Sequence, residues 1–370
     1  MNNVNIVKHK YYPVLDLARF IAALFVIGIH IFPEGSTVDG IGLDNSIPTL
    51  IGLSFMNAFL RVAVPIFFVT SSFLLFKRIS EDQQNKWKYI GTFCLRLLFL
   101  TIFWYVVGLP LTIKDIVGFV SSNDMNGLIR YIVITLWKGA PRGYWFLLSL
   151  GVGVVVAALC RTKKSMITLT IIAGLMYVVG CLNSAYFGIF TLSDNPVSKF
   201  IFQTGNYLEL SFCYLEAFIF VVFGKIFAEH GTLKIKGYEF ILPIFFLLMT
   251  GELFLTMHMG ILIYPDACFF LPVFVFFLMN FLININIENE KFTSIAKKLK
   301  KVGSFSYLFH IQFFVYMHWI LDSIGHNIFR EQFGWLVVPY LVCVLLCFAL
   351  QTLFEYLSKY KFLKFLKYSY

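Results

Sequence analysis

Charged residues make up only 14% of this 370-residue chain, against about 25% in a soluble domain. Too few charges remain to cover a water-facing surface, which excludes a soluble enzyme and a disordered protein. Cysteine spacing is also missing. Cys94, Cys160, Cys181, Cys213, Cys268, Cys343 and Cys347 form no CxxC. An odd, scattered set excludes a disulfide framework and a zinc site, and no other metal site is expected. These cysteines read as small hydrophobes. No nucleic-acid motif accompanies the net charge of +10 and the pI near 9.1. That basicity fits loops beside an anionic leaflet, so membrane lipids are expected partners and nucleic acid is not. No small-residue cleavage site follows the first apolar run, which leaves at Phe32-Pro33-Glu34, so it reads as an uncleaved span. Neither an internal repeat nor an appended soluble domain is visible.

What is present is apolar. Hydrophobic residues reach 59%, with 44 Phe, and mean hydropathy is +0.79. A membrane span needs ~20 mostly apolar residues. Ten runs qualify: about 13–33, 48–76, 89–111, 143–160, 166–189, 207–228, 237–259, 262–283, 303–321 and 334–356. The second is long enough to tilt or break and contains Pro65. Charge tests the count. Of the 30 Lys and Arg residues, three (Arg19, Arg61 and Arg96) fall well inside runs, and Lys225, at the inner end of the run 207–228, counts with its loop. Lys114, Arg130, Lys138, Arg142, Lys199 and Arg330 fall on one side, and all the rest on the side of the N-terminus. The bias predicts a polytopic all-α bundle of about ten transmembrane helices with both termini cytoplasmic. It is read as one domain over 1–370, with a core of about 13–356. A basic aromatic tail, 357–370, is expected on the inner leaflet. The outer loop 112–142 holds an apolar stretch, 128–137, that reads either as a re-entrant or surface helix or as an ordinary amphipathic connection.

Ionisable residues inside spans are costly and are functional candidates by default. In PVLDLARFIAALFVIGIHIFP (13–33), Arg19 and His30 are eleven residues apart. Eleven helical steps return to within ~20° of one face, with a rise of ~16 Å. Asp16, one turn before Arg19, is close enough to pair with it. One helix thus presents a cation near its inner end and an imidazole near its outer end. That suits an anion clamp and a proton-transfer group; a snorkelling arginine and a satisfied core histidine fit the spacing equally. Arg61 lies mid-run and must find a carboxylate, a carbonyl or a substrate. Ser71 and Ser72 read as helix contacts. Asn206, Glu209, Cys213 and Glu216 stand at helical spacing, the two glutamates on one face as partners for Arg61 or Arg96. Glu252 lies inside a run; His258 and Asp266 lie near the outer surface, where Asp266 also suits a helix cap. His310 sits at mid-depth, and it and Gln312 are either substrate contacts or core. Tyr144 and Trp145 open the fourth run as belt aromatics or as part of an acceptor groove.

The pattern LDLAR-x10-H, then PIFFVTSSFLL, YWFL and SYLFH resembles the acyltransferase-3 membrane family of bacteria, over residues 13 to about 320. The resemblance implies ten core spans and a cytoplasmic acyl-CoA donor. It also implies O-acylation of surface glycans such as lipopolysaccharide O-antigen, capsule, exopolysaccharide, peptidoglycan or small glycosides. It makes Arg19 a donor-binding residue and His30 the catalytic one. The chain departs from the family pattern at Ser71-Ser72-Phe73, where Ser-Gly-Phe is common. It departs again at Phe93, where the first Arg of an Arg-x-x-Arg would stand before Arg96. A second resemblance, through RVAVPIFF, the Glu252 segment and DACFFLPVFVFFL, is to the membrane domain of vancomycin-resistance serine racemases. That domain is associated with L-serine supply; the racemase domain itself has no counterpart in this sequence.

The expectation is a membrane O-acyltransferase, with acetyl-CoA as donor and a surface glycan or cell-wall polymer as acceptor. His30 and Arg19 are the catalytic candidates. Asp16, Arg61, Arg96, Tyr144, Trp145, Glu252 and His310 are candidates for binding donor or substrate. The alternatives are a transporter of a small polar solute such as L-serine and a protein of polysaccharide export.

Overall fold

The computed structural model describes residues 10–32, 45–138, 144–211, 213–323 and 336–370. Lys8, Pro33, Glu34, Arg142 and Arg330 lie outside them. Among the described residues every regular element is a helix. The N-terminal half comprises α1 (Pro13–Ile29), α2 (Ile47–Arg61), α3 (Ala63–Glu81), α4 (Lys86–Val107), α5 (Leu109–Ser121), α6 (Met125–Lys138) and α7 (Trp145–Leu159). The C-terminal half comprises α8 (Lys163–Leu182), α9 (Pro196–Leu208), α10 (Tyr214–His230), α11 (Tyr238–His258), α12 (Phe270–Asn284), α13 (Glu290–Ser323) and α14 (Val337–Leu357). Short 3₁₀ turns include Lys361–Tyr368.

Local chemistry sets the ends. Pro13 opens α1, where its missing N–H costs nothing. Thr162 and Ser165 form a reciprocal capping box at α8. Asn195 caps α9 by accepting from Val197 N–H at 2.8 Å. The long second run breaks between Arg61 and Ala63. Pro65 has no N–H to offer the Arg61 carbonyl, and its ring crowds that carbonyl.

Apolar side chains face outward in rows. Leu95, Leu98, Ile102 and Val106 are exposed along α4, as are Ile167, Ile171 and Leu175 along α8 and Leu341 and Leu345 along α14. Rows of this size on a water-facing surface would be a strong aggregation liability; against lipid they are the expected outer face. Among the described residues, five helical stretches are long and apolar enough to cross a membrane: Ile47–Glu81, Gln83–Val107, Lys163–Leu182, Tyr238–His258 and Val337–Leu357.

The core is built on two close helix pairs, α3 on α10 and α1 on α13. Glycine sets both. A Cβ at Gly224 would lie 1.9 Å from Ser72 Oγ and 2.6 Å from the Val69 carbonyl; one at Gly303 would lie 2.9 Å from Phe20 Cα. Small residues at such contacts let backbones approach without a hydrophobic drive between helices.

Several sequence expectations change. The run 207–228 is not one helix. Glu209 takes a left-handed backbone (φ 47°) after α9, and Cys213 is extended before α10. Glu209 and Glu216 therefore share no helix face, and Glu209 pairs with Arg130 and Lys138, each at 3.1 Å, instead of Arg61 or Arg96. The run expected at 262–283 becomes helical only at Phe270. The stretch 112–138 is a helical hairpin, α5 and α6, and Arg130 of α6 donates to the Asn206 carbonyl at the end of α9 at 3.0 Å. The tail turns back under the bundle: Trp104 Nε1 donates to the Ser369 carbonyl at 2.8 Å, and Tyr370 is buried, while Phe362 stays exposed.

Candidate functional site

Two cavities lie along α1, one beside Arg19 and one beside His30. The larger, about 420 Å³, is lined in large part by three helical stripes. These are Ser71, Leu74, Leu75 and Arg78 on α3; Phe93, Arg96, Leu97 and Leu100 on α4; and Lys300, Ser304, Tyr307 and Leu308 on α13. Their spacings, i, i+3, i+4, i+7 in the first two and i, i+4, i+7, i+8 in the third, put each set on one face. Arg19, Arg78, Arg96 and Lys300 supply four cations, and among the described residues no acidic side chain lines the space. Asp16 stands behind it, buried, 3.2 Å from Lys300 and hydrogen-bonded by the Tyr11 hydroxyl. The close ion pair of Asp16 is thus with Lys300, and Arg19 keeps Asp16 only as a nearby charge. Arg19 lies 5.9 Å from the Phe67 ring centroid, and its buried Nε has no hydrogen-bond partner among the described residues. Burial is the largest influence on the Lys300 ammonium and lowers its pKa below the ordinary lysine value. Asp16 acts the other way, and Arg19 and Arg96 add to the lowering. Arg96 donates to the Tyr370 carbonyl at 3.0 Å, so the tail forms part of this wall.

The second cavity is smaller, about 70 Å³, and mixed in charge. His30, Arg61, Glu216, Asp266 and His310 line it, with Trp145, Tyr177 and Tyr307. His30 is the C-cap of α1, at the end of an uninterrupted helix, so the eleven-residue spacing from Arg19 holds to the last turn. Its ring faces that of His310 across α1 and α13, with centroids 5.0 Å apart. Arg61 and Asp266 form a buried ion pair. Removing one member of such a pair costs about 3–5 kcal/mol, because the other charge is stranded.

Asp266 reaches Arg61 because its loop is tied down. Ser184 Oγ donates to the Tyr264 carbonyl at 2.8 Å and accepts from Ala267 N–H at 2.9 Å. The Tyr177 hydroxyl donates to the Cys268 carbonyl at 3.0 Å. Glu252 accepts from Phe269 N–H at 2.6 Å, Phe270 N–H at 2.9 Å and the Tyr186 hydroxyl at 2.8 Å. Glu252 therefore holds the start of α12 and lines neither cavity. Non-helical backbone inside a bundle needs such partners.

One aromatic partition separates the two spaces. Tyr307 lines both. Its ring is 4.7 Å from Phe67 and 4.9 Å from Phe146, and Phe146 is 4.5 Å from Phe68. Trp145 faces the smaller cavity, whereas Tyr144 accepts from Gln312 Nε2 at 2.5 Å and lines neither.

The structure thus gathers His30, His310, Arg61 and Trp145 at one cavity and Arg19 and Arg96 at the other. Arg78, Lys300 and Tyr307 join them without having been singled out from the sequence. Their signal was the shared helical stripe, with Arg78 seven residues beyond Ser71 and Lys300 seven before Tyr307. Among the described residues no group of three or more His, Cys, Asp or Glu could hold a metal ion.

The profile of the acyltransferase domain family, acyltransferase-3, matches residues 12–359, nearly the whole described bundle. The chain belongs to this family. Together with its long apolar helices, membership makes it a multi-pass membrane protein of the acyltransferase-3 type. It is also similar to two proteins of Enterococcus faecalis, each named amino-acid racemase. One is 26% identical over 257 residues, covering 69% of this chain and 33% of the relative. The other is 23% identical over 247 residues, covering 65% and 32%. The acyltransferase-3 chain therefore spans about a third of the length of these curated relatives. No solved structure matches it.

Proposed function

We propose that the protein is a membrane O-acyltransferase that moves an acyl group, acetyl in the first instance, from acyl-CoA to a hydroxyl of a cell-surface glycan or cell-wall polymer. The observation that carries this reading is the pairing of an all-cation cavity with a histidine cavity through a single aromatic partition. Arg19, Arg78, Arg96 and Lys300 suit the phosphates of the donor, since guanidinium groups bind such anions in bidentate fashion. The pantetheine arm would lie toward Tyr307, and the thioester would meet His30 beyond it. His30 attacks the carbonyl or takes a proton from the acceptor, and Arg61 lies in the same cavity to stabilise developing negative charge. In this reading ten spans cross a bacterial cytoplasmic membrane with both ends of the chain inside. The cationic cavity then opens to the cytoplasm and the histidine cavity faces outward, as the basic-residue bias favours.

Radiolabelled acetyl-CoA, added to the purified protein in nanodiscs, tests it. Binding should weaken in Arg19→Ala by about 10–100-fold, the value of a hydrogen-bonded charge. CoA release should be lost in His30→Ala at unchanged binding. No binding by well-folded wild-type protein would sink the reading.

That negative outcome would favour a second reading, transport of a small zwitterionic solute such as L-serine. Two observations support it: Arg61 faces Asp266 and Glu216 in one small cavity, and the similar proteins carry the name amino-acid racemase.

A further inference from the structure

The acyl-transfer reading leaves one part unassigned: which group takes the proton of the attacking hydroxyl. We propose that His310 is a second catalytic histidine that accepts this proton at Nε2, while His30 carries the acyl group. The inference rests on the acyl-transfer reading and on the geometry of the smaller cavity.

His310 Nδ1 lies 3.0 Å from the Ser306 carbonyl, one turn back on α13. A carbonyl only accepts, so Nδ1 carries the ring proton and Nε2 is left with a free lone pair. That Nε2 is buried and has no hydrogen-bond partner among the described residues. Leaving a buried acceptor without a partner is costly, so a core histidine would be expected to find one. The ring is 2% exposed, lines the cavity and faces His30 at 5.0 Å between centroids. The carboxylates in the cavity already belong to charge pairs or other contacts. Asp266 is held by Arg61, and Glu216 has partners of its own.

The steps balance with these two rings. A ring nitrogen of His30 bonds to the thioester carbon, and the C–S bond breaks. The sulfur leaves with the proton of the other His30 nitrogen, giving free CoA. The acceptor oxygen then bonds to the same carbon, and its proton moves to His310 Nε2. The C–N bond breaks with its electron pair on His30. His310 passes the proton to His30, and both rings return to neutral.

The test separates the two half-reactions in His310→Gln, which keeps a similar polar volume, and in His310→Ala. Purified protein is given acetyl-CoA alone, and CoA release is counted per enzyme. Membranes from expressing cells, carrying their own glycans, are given radiolabelled acetyl-CoA, and label in the polymer fraction is followed. His310→Gln should still release CoA in the first turnover but lose transfer to polymer by about 10²–10⁴-fold, the usual worth of a general base. Added imidazole should restore His310→Ala at least tenfold. Transfer within threefold of wild type in His310→Gln would overturn the proposal. So would equal loss of both half-reactions with no rescue by imidazole, which would mean a structural role. If wild-type protein binds acetyl-CoA and loses transfer in His30→Ala, either result leaves the acyl-transfer reading standing. If wild-type protein binds no acetyl-CoA, that reading itself fails.

Discussion

The cavities on either side of Tyr307 share a wall and differ in kind. Among the described residues the larger one has four lining cations and no lining acid, with one neighbouring carboxylate set behind Lys300. Its four cations outnumber that one carboxylate and leave net positive charge open to an anion. The smaller has both signs, and its one arginine is already engaged by Asp266. Uncompensated charge draws a ligand; compensated charge holds a shape. The first space is organised for binding and the second for positioning, and the histidines are found only in the second.

Breaking the compensated charge should have the largest effect. Arg61→Ala strands Asp266 in the bundle and should lower stability by about 3–5 kcal/mol, read as thermal unfolding in detergent. Arg61→Met with Asp266→Leu should recover most of that loss, because an apolar pair of similar volume can replace a buried ion pair. Acetyl-CoA binding by the folded fraction should be unchanged in both. If Arg61→Ala unfolds no more readily than wild type, the smaller cavity is not held by its ion pair and the contrast fails.

Thinning the shared wall should have a smaller effect. Tyr307→Leu removes the ring that touches both spaces while keeping apolar volume at the partition. Discrimination between acetyl and butyryl donors should fall about tenfold, within the range that a methylene or two contributes in an apolar passage. The measurement is the ratio of CoA release rates for the two donors. An unchanged ratio would place the chain-length limit elsewhere than at Tyr307.

The contrast between the cavities was only half legible in sequence. Arg19 and His30 could be placed on one face because a continuous helix fixes their relative angle, and α1 is continuous to Ile29. Arg61 could be marked as needing a partner, because a lone charge in an apolar run must find one. Which partner it finds depends on the loop before α12, 205 residues away, and on Ser184, Tyr177 and Glu252 tying that loop down. No local period reports such a contact. The same limit explains Glu209: helical spacing joined it to Glu216, but Glu209 itself is left-handed and ends its helix. Arg78 and Lys300 were legible as basic and as members of apolar stripes, yet only packing turned both stripes toward one space.

The smallest effect is expected at Lys300, and it tests whether the larger cavity binds through charge. Three of its four cations are arginines, which stay protonated at any accessible pH. Lys300 alone titrates, and burial has lowered its pKa below the ordinary lysine value. A bound phosphate favours the protonated form, so binding and protonation are linked. Affinity should be constant below the lowered pKa and should fall as pH rises through it. Because the Lys300 side chain is 38% exposed, solvent screening limits the change to about two- to fivefold. Titration calorimetry with acetyl-CoA between about pH 7 and 10 measures it. Lys300→Arg should flatten the curve by keeping the charge. Lys300→Met should flatten it at the weaker, high-pH affinity. A wild-type affinity that does not change with pH, or a slope that survives in Lys300→Arg, would mean that the ammonium does not meet the donor. The cavity's attraction would then rest on its three guanidinium groups.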